Sequence, residues 1–203
     1  MAAASITIIN RGTGAGGENT NINGKSFEDK TSNEPYLISV GYIRHKIPGK
    51  TGKNDYYLEN ITDFGSIVYL TQGGLKSYIK WKFGINIERY PDEAYLIHIG
   101  DDKYILKILE KKNQNVAGSV NTKLYAAGGL KDEYEDYFET IPNFKVQYGF
   151  CLSTYLEKEY NDEISLKSKS LRKYLTKHNV PVFFGDRDDY FEKVNEWINC
   201  FDL

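Results

Sequence analysis

Cysteine is nearly absent: Cys151, in an apolar strand-like run, and Cys200, in the predicted last helix, are the only two. Two thiols so placed support neither a disulfide framework nor a zinc site. Histidine is as sparse, with His45, His98 and His178 scattered along the chain, which argues against an imidazole-based transition-metal centre. No run of about eighteen apolar residues occurs, and the opening MAAASITIINRG lacks a charged segment followed by a sustained apolar one. Neither a membrane span nor a secretory signal is therefore expected, and the expectation is a soluble cytoplasmic protein. An excess of positive charge is missing too, since 26 Lys and Arg face 28 Asp and Glu for a formal net charge of −2. Bulk charge would not draw this chain to a polyanion, although a local basic groove still would. There is no internal repeat and no low-complexity tail.

What is present suits one domain. With 203 residues and 40% hydrophobic content the chain can bury a substantial core, and nothing divides it into modules. Ser26 is positioned to cap a short helix through Lys30, Tyr56 to Ile61 reads as a weak strand, and Gly74 to Phe83 as a helix. Ser119 to Phe138 reads as mostly helical with an interruption at Gly128-Gly129. Lys145 to Ser153 is a core strand, Leu166 to His178 a basic amphipathic helix, and Val180 to Phe184 a buried strand. Asp189 to Phe201 closes the chain as a helix with Tyr190, Val194 and Trp197 on one face, more in keeping with core than with ligand stacking. Strands alternating with helices in the second half predict an α/β fold with a mixed central sheet flanked by helices.

The densest chemistry lies between Arg89 and Leu124. Pro91-Asp92 opens the apolar run Ala94 to Ile99, Gly100-Asp101-Asp102 supplies turn residues, and Tyr104 to Leu109 forms a second run, which together predict a β-hairpin. Side chains alternate along a strand, so Glu110 and Lys112 point one way and Lys111 the other. Antiparallel pairing brings Asp92, at the start of the first strand, to the same end of the hairpin as Glu110. Mg²⁺ is content with a few carboxylate oxygens and keeps water elsewhere, so Asp92 and Glu110 as ligands would leave room for a phosphate oxygen and an attacking water. Lys112 would offset charge developing on the phosphate or orient the nucleophile, and a cation beside carboxylates favours their ionised form. The plainer reading of Glu110-Lys111-Lys112 is a polar strand end.

Other segments compete or assist. Glu28-Asp29-Lys30 repeats the acid-x-Lys pattern but falls in a predicted helix, and Asp101-Asp102-Lys103 falls in the hairpin turn, where Asp usually serves the backbone. The stretch from Gly12 to Gly24 is rich in Gly and Asn but lacks the spacing of a nucleotide-binding loop before Gly24-Lys25-Ser26. Residues 1–25 read instead as a flexible or DNA-facing arm, in which Asn19, Asn21, Asn23 and Lys25 reach a base edge or the backbone, or are simply turn residues. Arg44, His45, Lys46, Lys50 and Lys53 read as a basic loop able to track phosphates, or as a solvated turn. Lys76, Lys80 and Lys82 with Tyr78 and Trp81 form a second basic cluster, solvent-facing if helical. Gln114 shares the parity of Glu110 and Lys112, and Asn115 follows it. Backbone N–H groups of the helix starting at Ser119 favour an anion, with Lys123 one turn along.

Taken together, Pro91-Asp92, the apolar strand pair, Glu110-x-Lys112, Gln114, Gly118-Ser119 and Lys123 resemble the type II restriction endonucleases of the PD-(D/E)XK superfamily. Gly24-Lys25-Ser26-Phe27-Glu28 resembles the opening of the first helix of that nuclease core, and Val180 to Ile198 its closing strand and helix. The resemblance implies a restriction-endonuclease-like core spanning 1–203 as a single domain, Asp92 and Glu110 as metal ligands, Lys112 as the catalytic lysine, Gln114 beside it, and Glu28 as an occasional extra carboxylate. It further implies Mg²⁺, double-stranded DNA as substrate, a homodimer on a two-fold symmetric site, and a DNA methyltransferase as functional rather than physical partner. A structure-specific or repair nuclease on the same fold, and a DNA-binding domain without activity, are the alternatives.

Overall fold

Seven strands form one sheet whose spatial order follows the chain: β1 (Ile43–Lys46), β2 (Tyr56–Thr62), β3 (Gly65–Thr71), β4 (Glu93–Ile99), β5 (Lys103–Lys112), β6 (Phe144–Leu152) and β7 (Val182–Phe184). The first five pair antiparallel, and β5–β6 and β6–β7 pair parallel. This computed structural model describes residues 25–100, 102–114 and 120–201. The arm through residue 24, with Asn19, Asn21 and Asn23, and also Asp101, Asn115 and Ser119, lie outside the described residues.

Helices cover both faces, which explains why β4 and β5 are nearly continuous apolar runs. On one face lie α3 (Gln72–Phe83), α4 (Val120–Leu124), α5 (Ala127–Tyr137), α6 (Thr154–Tyr160) and α7 (Leu166–Lys177), packed on Leu96, Leu106, Ile108, Tyr148 and Phe150. On the other lie α1 (25–30), α2 (Glu34–Ser39) and α8 (Tyr190–Asn199), packed on Tyr95, Ile97, Ile105 and Leu109. Parity sorts the two cores: even residues of β4 and β5 face the five-helix layer and odd residues the three-helix layer. The hairpin turn uses Gly100 at φ 50° and Asp102 at φ 67°, left-handed positions that Gly and Asp tolerate.

The predicted elements at 56–61, 145–153, 166–178, 180–184 and 189–201 form within one or two residues of their expected ends. Others differ. Ser26 lies within α1 rather than capping it. β3 was not expected, because its apolar core runs through Thr71 directly into α3 with no turn between; Thr71 Oγ1 accepts from Gly74 N at 3.2 Å as the helix cap. Arg44, His45 and Lys46 form edge strand β1 rather than a loop. The helix expected over 119–138 breaks at Tyr125-Ala126, and Gly128-Gly129 sit inside α5. A Cβ on Gly128 would stand 2.8 Å from Tyr174 Oη, so this glycine permits close approach of α5 to α7 and does not end a helix.

Two lysines of β5 point into the three-helix layer and fasten it. Lys107, fully buried, donates to the carbonyls of Trp197 and Cys200 (2.7 Å for the latter) and so holds the C-terminal end of α8. Lys111 donates to Glu93 Oε1 at 2.8 Å and to the carbonyls of Thr31 at 2.9 Å and Glu28 at 3.3 Å, fastening the end of α1. Glu93 also accepts from Asn33 N (2.9 Å), Asn33 Nδ2 (2.7 Å), Tyr95 Oη (2.9 Å) and Tyr69 Oη (3.2 Å). With Lys111 that makes five donors, which saturates a carboxylate. Gly185 completes the seam: a Cβ there would meet Thr31 Cγ2 at 2.5 Å, Cys151 Sγ at 2.8 Å and Phe27 Cζ at 2.9 Å.

Removing one partner of a buried pair strands the other charge, so Lys111→Met should cost about 3–5 kcal/mol in urea unfolding. Glu93→Gln combined with Lys111→Met should recover part of that loss. Additive losses in the double variant would show that the two side chains do not act as a pair.

Candidate functional site

The register of β4 and β5 runs from Ile99 opposite Lys103 to Glu93 opposite Leu109. Asp92, the residue just before β4, comes to this same end near Glu110, whose even parity puts it on the five-helix face. β4 begins only at Glu93, and the Asp92 carboxylate takes over the ladder's role: its Oδ2 accepts the Lys111 N–H at 2.6 Å. Lys112, one alternation beyond Glu110, places Nζ 2.6 Å from Glu110 Oε2, with both side chains roughly four-fifths buried. The strand alternation foreseen for 110–112 thus holds: Glu110 and Lys112 share a face, and Lys111 turns into the opposite core.

Beside this group opens a cleft of about 640 Å³ between the end of β5 and helices α4 and α5. Glu110, Lys112 and Lys123 form its charged wall, Tyr134, Tyr148 and Phe150 its aromatic floor, and Glu88, Arg89 and Tyr90 its rim. Arg89 is committed to Glu133 through a bidentate pair of 2.7–2.9 Å, leaving Lys112 and Lys123 as the cations that face the interior. The Tyr148 hydroxyl stands beside Glu110, and burial together with that charge pushes its pKa well up. Tyr134, buried on the same floor, has a hydroxyl with no hydrogen-bond partner among the described residues.

Burial, then the neighbouring Glu110 charge, push the Asp92 carboxyl up to about 6, against the opposing pull of the Lys111 N–H and the Lys112 ammonium. A lysine beside the acids was expected to favour ionisation. At Asp92 desolvation and carboxylate crowding outweigh it. Such crowding is the electrostatic setting that a divalent cation relieves. Two carboxylates, with water and a substrate phosphate completing the shell, are a sufficient protein contribution for Mg²⁺, so the donor set fits that ion. No cluster of three or more His, Cys, Asp or Glu able to hold a metal occurs among the described residues.

The remaining expected residues are scattered. Glu28, exposed on α1, is the weakest of the charges acting on Asp92 and does not join the two acids as a third ligand. Lys25 is exposed at the start of the described chain. Gln114 lies beyond the end of β5, where strand parity no longer applies, and its N–H and carbonyl meet Ser153 Oγ at 3.3 Å. Arg44 pairs with Glu34 and lies 4.3 Å over the Tyr56 ring. It and Lys46 sit on β1, three strand spacings from β4 and so about 14 Å across the sheet. Lys50 and Lys53 are exposed in the following turn. Among the described residues, Lys123 alone of the expected DNA contacts lines the cleft. Sequence reasoning passed over Glu93, Lys111, Tyr134 and Tyr148. The signal for the first two was available, since each borders a candidate catalytic residue at the opposite parity.

No family model, curated protein or solved structure matches the chain.

The raised Asp92 pKa has a definite sign for stability. Its folded value of about 6 lies above the ordinary 3.8, so ionising Asp92 in the folded chain costs free energy that accumulates as pH rises from about 4 through 6 and is complete above that. With chelator present, Asp92→Asn should therefore stabilise the protein by about 1–3 kcal/mol at pH 7.5 and leave it nearly unchanged at pH 4. Chemical unfolding at the two pH values checks this, and a destabilised Asn variant at pH 7.5 would contradict the assignment of strain to this carboxylate.

Proposed function

We propose that this chain is a Mg²⁺-dependent endonuclease of the type II restriction kind, cutting double-stranded DNA at a specific sequence on a PD-(D/E)XK-type core. The observation that carries the reading is the convergence at one end of the β4–β5 hairpin of Asp92, which accepts the Lys111 N–H and feels the Glu110 and Lys112 charges, with Glu110 and Lys112, which lie 2.6 Å apart and line an open cleft. The motif resemblance supplies the reaction class, and the closeness of the three side chains supports it.

Asp92 and Glu110 would hold the ion. The chemistry that bound Mg²⁺ supplies is Lewis-acid polarisation of a phosphate oxygen and a lowered pKa for water. The chain's own groups do the rest. The Lys111 N–H fixes one Asp92 oxygen and so sets the orientation of the carboxylate. Lys112 brings an ammonium to the place where negative charge grows on the phosphate, in a partly desolvated site where such a charge is worth more than in water. Lys123, on the wall of the same cleft, would bind a non-bridging phosphate oxygen. Hydrolysis in line leaves a 5′-phosphate and a 3′-hydroxyl, as the resemblance implies. A two-fold symmetric target would be met by a homodimer with one site per strand, in a cytoplasm where a methyltransferase protects the host's own sites. No helix among the described residues is long and apolar enough to cross a membrane.

Plasmid incubated with the protein and Mg²⁺ should give discrete fragments, and chelator should abolish them. Lys112→Ala should lose at least about two orders of magnitude in cleavage rate, the scale of removing one key electrostatic stabiliser. A smear would favour a nuclease that cuts without sequence preference, and no cleavage at all would favour a binding domain. Undiminished cleavage by Lys112→Ala would remove that residue from the mechanism.

A further inference from the structure

Helix α7 carries five basic residues and no acidic one in twelve positions, LKSKSLRKYLTK. Five of the chain's 26 bases and none of its 28 acids therefore lie in this one helix, leaving 21 bases against 28 acids elsewhere. The near-neutral total conceals one wholly basic helix. Leu171 and Leu175 bury one side of α7 in the core, and Lys169, Lys173 and Lys177, spaced four apart, form an exposed stripe on the opposite side with Ser170 and Thr176 beside it. Successive lysines rise about 6 Å along the helix, comparable to the separation of neighbouring phosphates on a nucleic-acid strand.

Part of the fold's remaining positive charge is already engaged. Arg44, Arg89, Arg172, Arg187, Lys30, Lys111 and Lys112 all pair with carboxylates, whereas Lys167, Lys169, Lys173 and Lys177 form no salt bridge with any described carboxylate. The nearby acids are occupied: Asp162 accepts the N–H groups of Ile164 and Ser165, and Glu163 pairs with Arg172. The stripe is also tied to the candidate site. Tyr174 packs its ring, tilted, against Tyr125 at 5.1 Å and accepts the Gly128 N–H at 3.3 Å, so α7 abuts the first turn of α5, whose Leu130, with Ala126 just before the helix, walls the cleft.

From this geometry we infer that the Lys169–Lys173–Lys177 face of α7 is the principal phosphate-tracking surface of the protein, holding DNA backbone outside the segment being cut. The inference rests on the nuclease reading and assigns its non-specific affinity to a helix that the motif does not contain. It displaces the segment from Arg44 to Lys53 as the expected basic track, because Arg44 is paired and β1 lies at the far edge of the sheet.

The test is fluorescence anisotropy of a labelled duplex against salt concentration, with chelator present to prevent cutting. Each lost phosphate contact lowers the slope of log K against log salt by about 0.9. Replacing Lys169, Lys173 and Lys177 by Gln should therefore lower it by about 2–3 and weaken binding at 0.1 M salt at least tenfold, with unchanged circular dichroism. The same replacement at Lys46, Lys50 and Lys53 should change the slope by less than about 1. A slope unaffected by the α7 variant, in a protein that binds DNA and cuts it with Mg²⁺, overturns this inference alone. Absence of salt-dependent DNA binding in the unsubstituted protein overturns it together with the nuclease reading. If the α7 variant instead loses binding to phosphatidylserine vesicles while its DNA slope stays unchanged, the face serves a lipid surface and the inference is overturned.

Discussion

The buried pair of Glu93 and Lys111 is the constraint around which the site is arranged. Each belongs to the same two strands as the candidate catalytic groups and differs from them only in parity. Glu93 follows Asp92, and Lys111 separates Glu110 from Lys112. A slip of one residue in β5 would drive Glu110 and Lys112 toward the three-helix core and turn Lys111 out, and a slip in β4 would turn Glu93 out, either one separating the buried pair and stranding charges that are now saturated. The requirement that Glu93 find its five donors therefore enforces the register that brings Asp92 to the end of β5 that carries Glu110 and Lys112. The same lysine fastens the end of α1, so the helix bearing Glu28 is held against the sheet by an interaction on the face remote from the cleft.

On the cleft side the electrostatics run the other way. Glu93 is given every partner a carboxylate can use, whereas Asp92 is half-buried next to another acid and is pushed toward protonation. Two neighbouring acids on one hairpin thus have opposite environments: one is paired for stability, and the other is left electrostatically short of positive charge. The contrast follows from desolvation and partner supply: the same type of side chain is satisfied by five donors in one place and crowded by a second acid in the other. Charge is partitioned on a larger scale as well, with the lysines of α7 balancing an otherwise acidic molecule.

Legibility in the sequence followed how local the cause was. The hairpin was readable because its apolar runs, its Gly-Asp turn and its alternation are properties of adjacent residues. β3 was not, because the same Thr71 that ends the strand caps α3 and no turn residue separates them. Gly128 looked like a breaker and is a packing contact with Tyr174, a residue 46 positions away. Arg44 looked like a free cation until Glu34 and Tyr56 came to rest beside it. Gln114 was assigned to the cleft by parity, which fails once the strand stops at Lys112.

By itself the sequence determined the mixed α/β character, the hairpin, the shared face of Glu110 and Lys112, and the basic character of the 166–178 helix, since strand and helix periodicities are set by backbone geometry alone. Only the tertiary structure decided that Lys111 is a buried anchor and Lys112 a cleft residue with the same charge, that Lys123 reaches the cleft while Arg44 does not, and that Asp92 is pushed toward protonation. Those outcomes depend on desolvation and on partners brought from distant segments, and neither is encoded in the spacing of any one motif.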